Sequence, residues 1–291
     1  MSRRLTVRAP AKTNLSLRVT GKRDDGFHGI ETEMVRLVLA DLLTLEVVKG
    51  PREIRFSCDD PALPSDGSNL AVKAAHVFLD HVGWEKTLGD EALSIALEKV
   101  IPVGAGLGGG SSDAASVLRG LNDLFETTLP LETLTELAAE LGSDVPFFLQ
   151  DSTATCTGRG EIVTPHDDET RQKCRELPVV LIKPPFAVSA AWAYQNWAES
   201  TRMPGVFYGE QHCPWGVMVN DLEPPVFQKY LVLPQIKNWL LARPEVLAAV
   251  MSGSGSTMLA ILGSFDQRPQ LAADAVAEFG DNTWVYQTRT A

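Results

Sequence analysis

Five glycines fall within the seven residues Gly104-Ala105-Gly106-Leu107-Gly108-Gly109-Gly110, and Ser111-Ser112-Asp113-Ala114-Ala115 follow directly. Glycine lacks the Cβ that keeps a ligand off the backbone, and it enters positive φ without strain. The run follows a strand pattern (Leu93, Ile95, Leu97) and opens a helical one (Ala114, Val117, Leu118, Leu121, Phe125). A flexible linker is rare between two such patterns. Loop amides and a helix N-terminus in that order make a concavity of anion size, which points to a phosphate group. Ser111 and Ser112 can cap the helix, or turn their hydroxyls to a phosphate or a metal ion.

Several phosphate loops share this glycine density. Gly104, Gly106 and Gly109 satisfy G-x-G-x-x-G. A dinucleotide fold, however, needs a second strand after the helix with an acid at its end. Here a second helical pattern follows instead, with Leu131, Leu134, Leu137, Ala138 and Leu141. A Walker loop ends in Gly-Lys-Ser/Thr, whereas this one ends Gly110-Ser111-Ser112. The His-Arg-Asp and Asp-Phe-Gly segments of protein kinases are absent. A dinucleotide-binding oxidoreductase remains the alternative from another class, and binding of NAD(P)H without ATP would favour it. A nucleotide sensor without turnover is a third reading.

The rest of the chain fits a soluble enzyme. Its 291 residues allow one large domain or two, and its net charge of −11 opposes nucleic-acid binding. The four cysteines show neither Cys-x-x-Cys nor Cys/His metal spacing. No apolar run has the length of a signal-peptide core or a membrane span. A cytoplasmic protein is expected, as a monomer or homodimer, without nucleic-acid or membrane partners. Period-two runs predict strands at Leu5–Val7, Leu15–Val19, Leu43–Val47 and Ile54–Cys58. Ser68 or Asn69 is expected to cap a helix carrying Leu70, Ala74, Val77 and Phe78. A buried strand is expected over Val179–Ile182, a helix over Ser189–Trp197, and little order over Met203–Trp215. A strand over Met258–Leu262, a helix over Pro269–Phe279 and a strand over Trp284–Gln287 complete the pattern. Strands and helices intermingle without regular alternation, so the class is α+β.

Three segments together resemble the GHMP kinases, the superfamily of galactokinase, homoserine kinase and mevalonate kinase. Pro10-Ala11-Lys12-Thr13-Asn14-Leu15 is similar to the first motif, Gly104–Ala115 to the second, and Met251-Ser252-Gly253-Ser254-Gly255-Ser256 to the third. Gly26-Phe27-His28, Leu141–Phe148 and Asn220-Asp221-Leu222-Glu223 resemble one branch. That branch phosphorylates a hydroxyl of a cytidylyl-linked methylerythritol in non-mevalonate isoprenoid synthesis. Phe27 stands where the branch usually has Tyr, Thr13 where an apolar residue is commoner, and Gly29 where Glu or Leu is usual. A homoserine or mevalonate type of GHMP kinase is the nearest rival, but Gly26-Phe27-His28 with Tyr194 suits a flat base.

The resemblance implies a two-part fold, with an N-terminal ATP-binding part over 1–152 and a C-terminal part on the substrate side over 153–291. It implies ATP on Gly104–Ser112, with Asn69 and Lys99 on the adenine and ribose side. It implies Asp144 as general base or orienter of the attacking hydroxyl, and Lys12 as the ammonium that keeps Asp144 ionised and neutralises developing charge. Asn14 would share a strand face with Lys12. Phe27, His28 and Tyr194 would hold the cytosine of a small cytidylyl substrate, and Gly253, Ser254 and Gly255 would close on it. Mg²⁺ would come with ATP, and Ser112 is the best protein contact for it.

Overall fold

The structure is a computed structural model that describes residues 3–150 and 153–291. The chain opens with two long strands, β1 (Arg4–Lys22) and β2 (His28–Lys49), followed by β3 (Ile54–Cys58). Helices α1 (Leu70–Val82) and α2 (Trp84–Thr87) lead to β4 (Glu91–Glu98), then α3 (Gly109–Leu124) and α4 (Leu131–Leu141). Next come β5 (Thr153–Thr157), β6 (Ile162–Pro165), α5 (Asp168–Cys174), β7 (Pro178–Lys183) and α6 (Ala190–Gln195). The chain continues through β8 (Gln211–Cys213), β9 (Gly216–Asn220), α7 (Glu223–Lys229) and α8 (Val232–Leu241). It ends with β10 (Val246–Met251), β11 (Met258–Leu262), α9 (Arg268–Phe279) and β12 (Trp284–Arg289). The fold is α+β.

The chain divides into two compact units, neither contiguous in sequence. The first takes Met1–Ala11, Leu39–Pro102 and Gly108–Asp151, and the second takes Lys12–Val38, Val103–Leu107 and Ser152–Ala291.

In the first unit, the end of β2 pairs antiparallel with β4, from Leu42↔Glu98 to Lys49↔Glu91, and β3 lies parallel on the far side of β4. Leu43, Leu45, Leu93, Ile95 and Leu97 are buried, as period-two alternation requires. Helices α1, α3 and α4 pack on one another. Helix α1 buries Ala71, Ala74, Ala75 and Phe78, and α3 buries Ala114, Ala115, Val117, Leu118 and Leu121. The small alanines on both faces let the two helices approach closely.

In the second unit, β10, β11, β7 and β12 form an antiparallel sheet in that order. All of β11 and Val179–Ile182 of β7 are buried, so these strands read as continuous apolar runs rather than alternating ones. Helices α8 and α9 pack on this sheet. The rest of β1 pairs in parallel with β9 at Ser16↔Val219 and Leu17↔Asn220. The start of β2 pairs with β5, and β5 with β6. Leu17, Val19, Val180, Ile182, Phe227, Met251 and Met258 share one apolar core.

Two expectations change. The separate strands read on either side of Pro10–Lys12 are one strand, β1. Ala11 to Leu15 are all buried, Lys12 and Asn14 included, so alternation vanishes where the chain is covered on both sides. The stretch Met203–Trp215 contains β8, and its Tyr208 and Trp215 are buried, so its glycines and prolines shape a packed segment.

Candidate active site

The three motif segments meet in the second unit. Strand β1 passes beside the first half of the glycine run, and Lys12 N donates to Leu107 O at 2.9 Å. The third motif is the loop between β10 and β11, closed by Ser252 N donating to Thr257 O at 2.9 Å. This loop is tied to the glycine run twice: Thr257 N donates to Ala105 O (3.2 Å), and Ser252 Oγ donates to Gly106 O (3.0 Å). Thr13 Oγ1 donates to Ser252 Oγ at 3.1 Å. Contact is so close at Gly106 that a Cβ there would stand 2.1 Å from Ser252 O. A Cβ on Gly253 would lie 3.3 Å from Asn14 Oδ1 and 3.4 Å from Lys12 Nζ. Ser254 is half-buried at the loop tip.

Lys12 is 4% exposed and donates to Asn14 Oδ1 at 2.7 Å, so the two side chains share a face of β1. Asn14 Nδ2 in turn donates to Thr32 Oγ1 at 2.7 Å. A buried ammonium is thus fixed next to the loop that carries Gly253. Such a group neutralises negative charge far better than a solvated lysine would.

The first unit holds the second half of the glycine run. Gly108 has φ +70° and forms the N-cap of α3, a conformation that an L-residue enters only with strain. Gly109, Gly110 and Ser111 form the first turn, and the amides there have no partner within the helix. Ser112 is buried, and its Oγ has no hydrogen-bond partner among the described residues. No cluster of three His, Cys, Asp or Glu suited to a metal occurs among the described residues. An orphan hydroxyl at a helix start fits a Mg²⁺ held mainly by phosphate oxygens and water, with Ser112 Oγ as the protein ligand.

Lys99 lies in a buried ion cluster. Its Nζ donates to Asp41 Oδ2 at 2.5 Å and to Asp113 Oδ2 at 2.8 Å. Burial pulls the Lys99 pKa down, but the two carboxylates outweigh it and leave the pKa raised. Asp113 is pushed up to about 7, chiefly by burial, with Asp41 adding to it and Lys99 opposing. Asp41 Oδ1 also accepts from Val100 N and Ile101 N. The cluster therefore pins the chain entering the glycine run to the first turn of α3. Asn69 caps α1: its Oδ1 accepts from Ala71 N at 2.9 Å, and its Nδ2 donates to Pro64 O. Asp144 is half-buried in the turn after α4, where Val145 N donates to Gly142 O. Behind it, Val145, Phe147 and Phe148 are buried.

On the hairpin between β1 and β2, His28 stacks on Tyr194 of α6, with centroids 5.7 Å apart and planes 22° apart. Trp197 meets His28 edge-on at 6.3 Å. Phe27 is 52% exposed and is covered on one face by the Arg159 guanidinium at 4.9 Å. A Cβ on Gly29 would meet the Thr20 side chain, its Oγ1 at 2.5 Å.

Sequence reading assigned no role to the residues that brace the third loop. Asn220 Nδ2 donates to Met251 O (2.6 Å) and Gly253 O (2.7 Å). Glu223 Oε1 accepts from Met251 N at 3.0 Å, and its Oε2 accepts from Lys237 at 2.5 Å. Burial pushes the Glu223 pKa up, against the pull of Lys237 and the Met251 amide. Lys237→Met leaves this carboxylate buried and uncompensated. A loss of about 3–5 kcal/mol in urea unfolding is expected. Adding Glu223→Gln should recover part of it, and an unchanged midpoint in the single variant would show the pair to be of no consequence.

The loops and helices described so far define a GHMP-type phosphotransferase. Residues 69–152 match the family model of the GHMP kinases N terminal domain, and residues 211–282 match that of the GHMP kinases C terminal. A 4-diphosphocytidyl-2-C-methyl-D-erythritol kinase of Methylacidiphilum infernorum is 42% identical over 279 residues, covering 95% of this chain and 93% of that protein. The crystal structure of a 4-(cytidine 5'-diphospho)-2C-methyl-D-erythritol kinase superposes with a TM-score of 0.77 at 31% identity, over 99% of this chain and 100% of that one. A mevalonate kinase crystal structure gives a TM-score of 0.72 over 98% of this chain and 99% of its own, but at 11% identity, which is a likeness of fold alone. The chain belongs to the 4-diphosphocytidyl-2-C-methyl-D-erythritol kinase family of GHMP kinases.

Proposed function

We propose that this chain transfers the γ-phosphoryl group of ATP to a hydroxyl of 4-diphosphocytidyl-2-C-methyl-D-erythritol, giving the 2-phosphate and ADP, in non-mevalonate isoprenoid synthesis. The observation that carries the chemistry is the junction of Lys12, Leu107 and Ser252–Gly253, where a buried ammonium meets two glycine loops. The choice of acceptor rests on the full-length likeness to the Methylacidiphilum kinase.

In this reading the amides of Gly104–Ser112 receive the ATP phosphates, and Ser112 Oγ would hold a Mg²⁺ ion, which would supply screening of the phosphate charge. Asn69 and Lys99 lie on the nucleoside side, Lys99 by fixing the loop through Asp41 and Asp113. Asp144 orients the attacking hydroxyl and takes its proton, while Lys12 neutralises charge on the phosphoryl in flight. Transfer is direct and in line. Phe27, with its exposed face, and Tyr194, backed by His28, hold the cytosine, and Gly253–Gly255 close on the substrate. An N-terminal part over 1–152 and a C-terminal part over 153–291 belong to the same reading, and the two family models fall one on each side of that division. The cytoplasm is the proposed compartment: all four cysteines are free thiols, which suits a reducing medium.

The test is ADP release from MgATP with cytidylyl-methylerythritol, homoserine, mevalonate or galactose. Turnover confined to the first supports the reading, and turnover with another acceptor alone overturns it. Tyr194→Ala should raise the KM for the cytidylyl substrate and leave that for ATP little changed. One lost base–ring stack is worth about 1–3 kcal/mol. A parallel rise in both KM values would make Tyr194 a packing residue.

A further inference from the structure

Lys183, the last residue of β7, has no role in the reading above. It is 8% exposed, and no carboxylate pairs with it among the described residues. Two other lysines with buried side chains differ: Lys99 sits between two acids and Lys237 against Glu223. Lys183 Nζ donates instead to two neutral carbonyls, Pro184 O at 3.1 Å and Phe186 O at 3.0 Å. An ammonium carries three donors, and the third has no acceptor among the described residues. Burial alone draws its pKa below that of an ordinary lysine. Buried charges are normally paired, because an unpaired one forfeits its hydration for nothing.

The surroundings of Lys183 suit an anion. Phe186 O accepts from Ser256 Oγ at 2.6 Å as well as from Lys183, so the ammonium and the end of the third loop share one carbonyl. The next residue, Ala187, has its Cβ 2.6 Å from where a Cβ on Gly104 would stand. Val188 Cγ2 lies 3.8 Å from the Cβ position of Gly255. Ala187 thus lies against the first glycine of the phosphate loop, and Val188 against the last glycine of the third loop. Pro184 and Pro185 bring no amide hydrogen to this turn, so no backbone donor of theirs can serve an anion there.

We propose that Lys183 is the counter-charge of a phosphate subsite bounded by Gly104, Gly255–Ser256 and the turn 184–187. The two carbonyls hold the ammonium in place, and its remaining N–H is directed to a phosphate oxygen. That phosphate belongs either to ATP or to the diphosphate of the cytidylyl substrate. The proposal deepens the kinase reading and rests on it for the ligand class.

The experiment is calorimetric titration of the wild type, Lys183→Met and Lys183→Arg with ADP and, separately, with CDP. Lys183→Met should weaken one of the two by about tenfold or more, the loss of one hydrogen bond to a charged group. The arm that falls names the source of the phosphate, and Lys183→Arg should keep most of the affinity. Unchanged affinity for both in a Lys183→Met protein that melts like the wild type would overturn the proposal. So would equal losses for both with a lowered melting temperature and no recovery in Lys183→Arg, since the lysine would then only build the turn. If Lys183→Met does not fold, the ¹H–¹⁵Nζ signal of Lys183 decides, assigned by its disappearance in Lys183→Arg. Movement of that signal with ADP or CDP supports the subsite, and a signal still with both overturns it. None of these readouts needs turnover, so a wild type that releases no ADP in the acceptor screen would sink the kinase reading without touching this result.

Discussion

Asp144→Asn should lower kcat by about 10²–10⁴, the usual cost of losing a general base, while both substrates still bind. The asparagine keeps the size of the side chain in the turn after α4, where Gly142 and the buried Val145, Phe147 and Phe148 fix the backbone. What it loses, on the proposed reading, is the ability to accept the proton of the attacking hydroxyl. Binding of MgATP should hold or tighten, since one negative charge is gone. Lys12→Met should also lower kcat, and the double variant should be little worse than the poorer single one, because groups that act as a unit are not additive. Single-turnover kinetics with calorimetric Kd values would separate the two steps. A near-normal kcat in Asp144→Asn would reduce Asp144 to a helix-end residue.

Gly106→Ala should abolish most of the activity through a single methyl group. Its Cβ would stand 2.1 Å from Ser252 O, 3.0 Å from Gly255 O and 3.1 Å from Gly255 N, all backbone atoms that cannot swing aside. The residue also sits at φ +77°, which penalises any L side chain. The two loops must separate, with loss of the Ser252 Oγ to Gly106 O bond and strain on the Lys12 N to Leu107 O bond. Displacements of about 1 Å at a reacting centre cost about 10²-fold in rate, so kcat/KM should fall by at least that. Overpacking of this kind costs about 1–3 kcal/mol, which a chain of this size should survive, so circular dichroism should report a folded protein. Full activity in that protein would mean that the two loops do not work together.

The glycine run was legible because nothing else explains such a density of glycine between a strand and a helix. Helices α1, α3 and α4 followed from their apolar periodicity, with Asn69 as the cap of α1. The first half of β2 was not legible. Glu31, Glu33 and Arg36 interrupt Ile30, Met34 and Val35, and the neighbouring strands β1 and β5 make that segment a strand. The braces of the site were hidden for a different reason. Asp41, Glu223 and Lys237 are residue types that usually lie in water, and their burial comes from partners far along the chain. Lys99 was assigned to the nucleoside side, and the structure adds that two acids hold it. Tyr194 was expected to hold a cytosine together with Phe27 and His28, and the structure adds that His28 stacks on it.

The interleaving of the two units has a consequence for how the protein is made. The chain leaves the ribosome from its N-terminus, and Lys12–Val38 and Val103–Leu107 emerge long before the later strands of their own unit. Ala105 O waits for Thr257 N, and Lys12 and Asn14 wait for the loop that carries Gly253. The junction of the three motifs therefore exists only after synthesis has passed Thr257. A nascent chain carries the whole glycine run for about half of its elongation, from Gly110 to Thr257, before the partner that shapes its first half has been made.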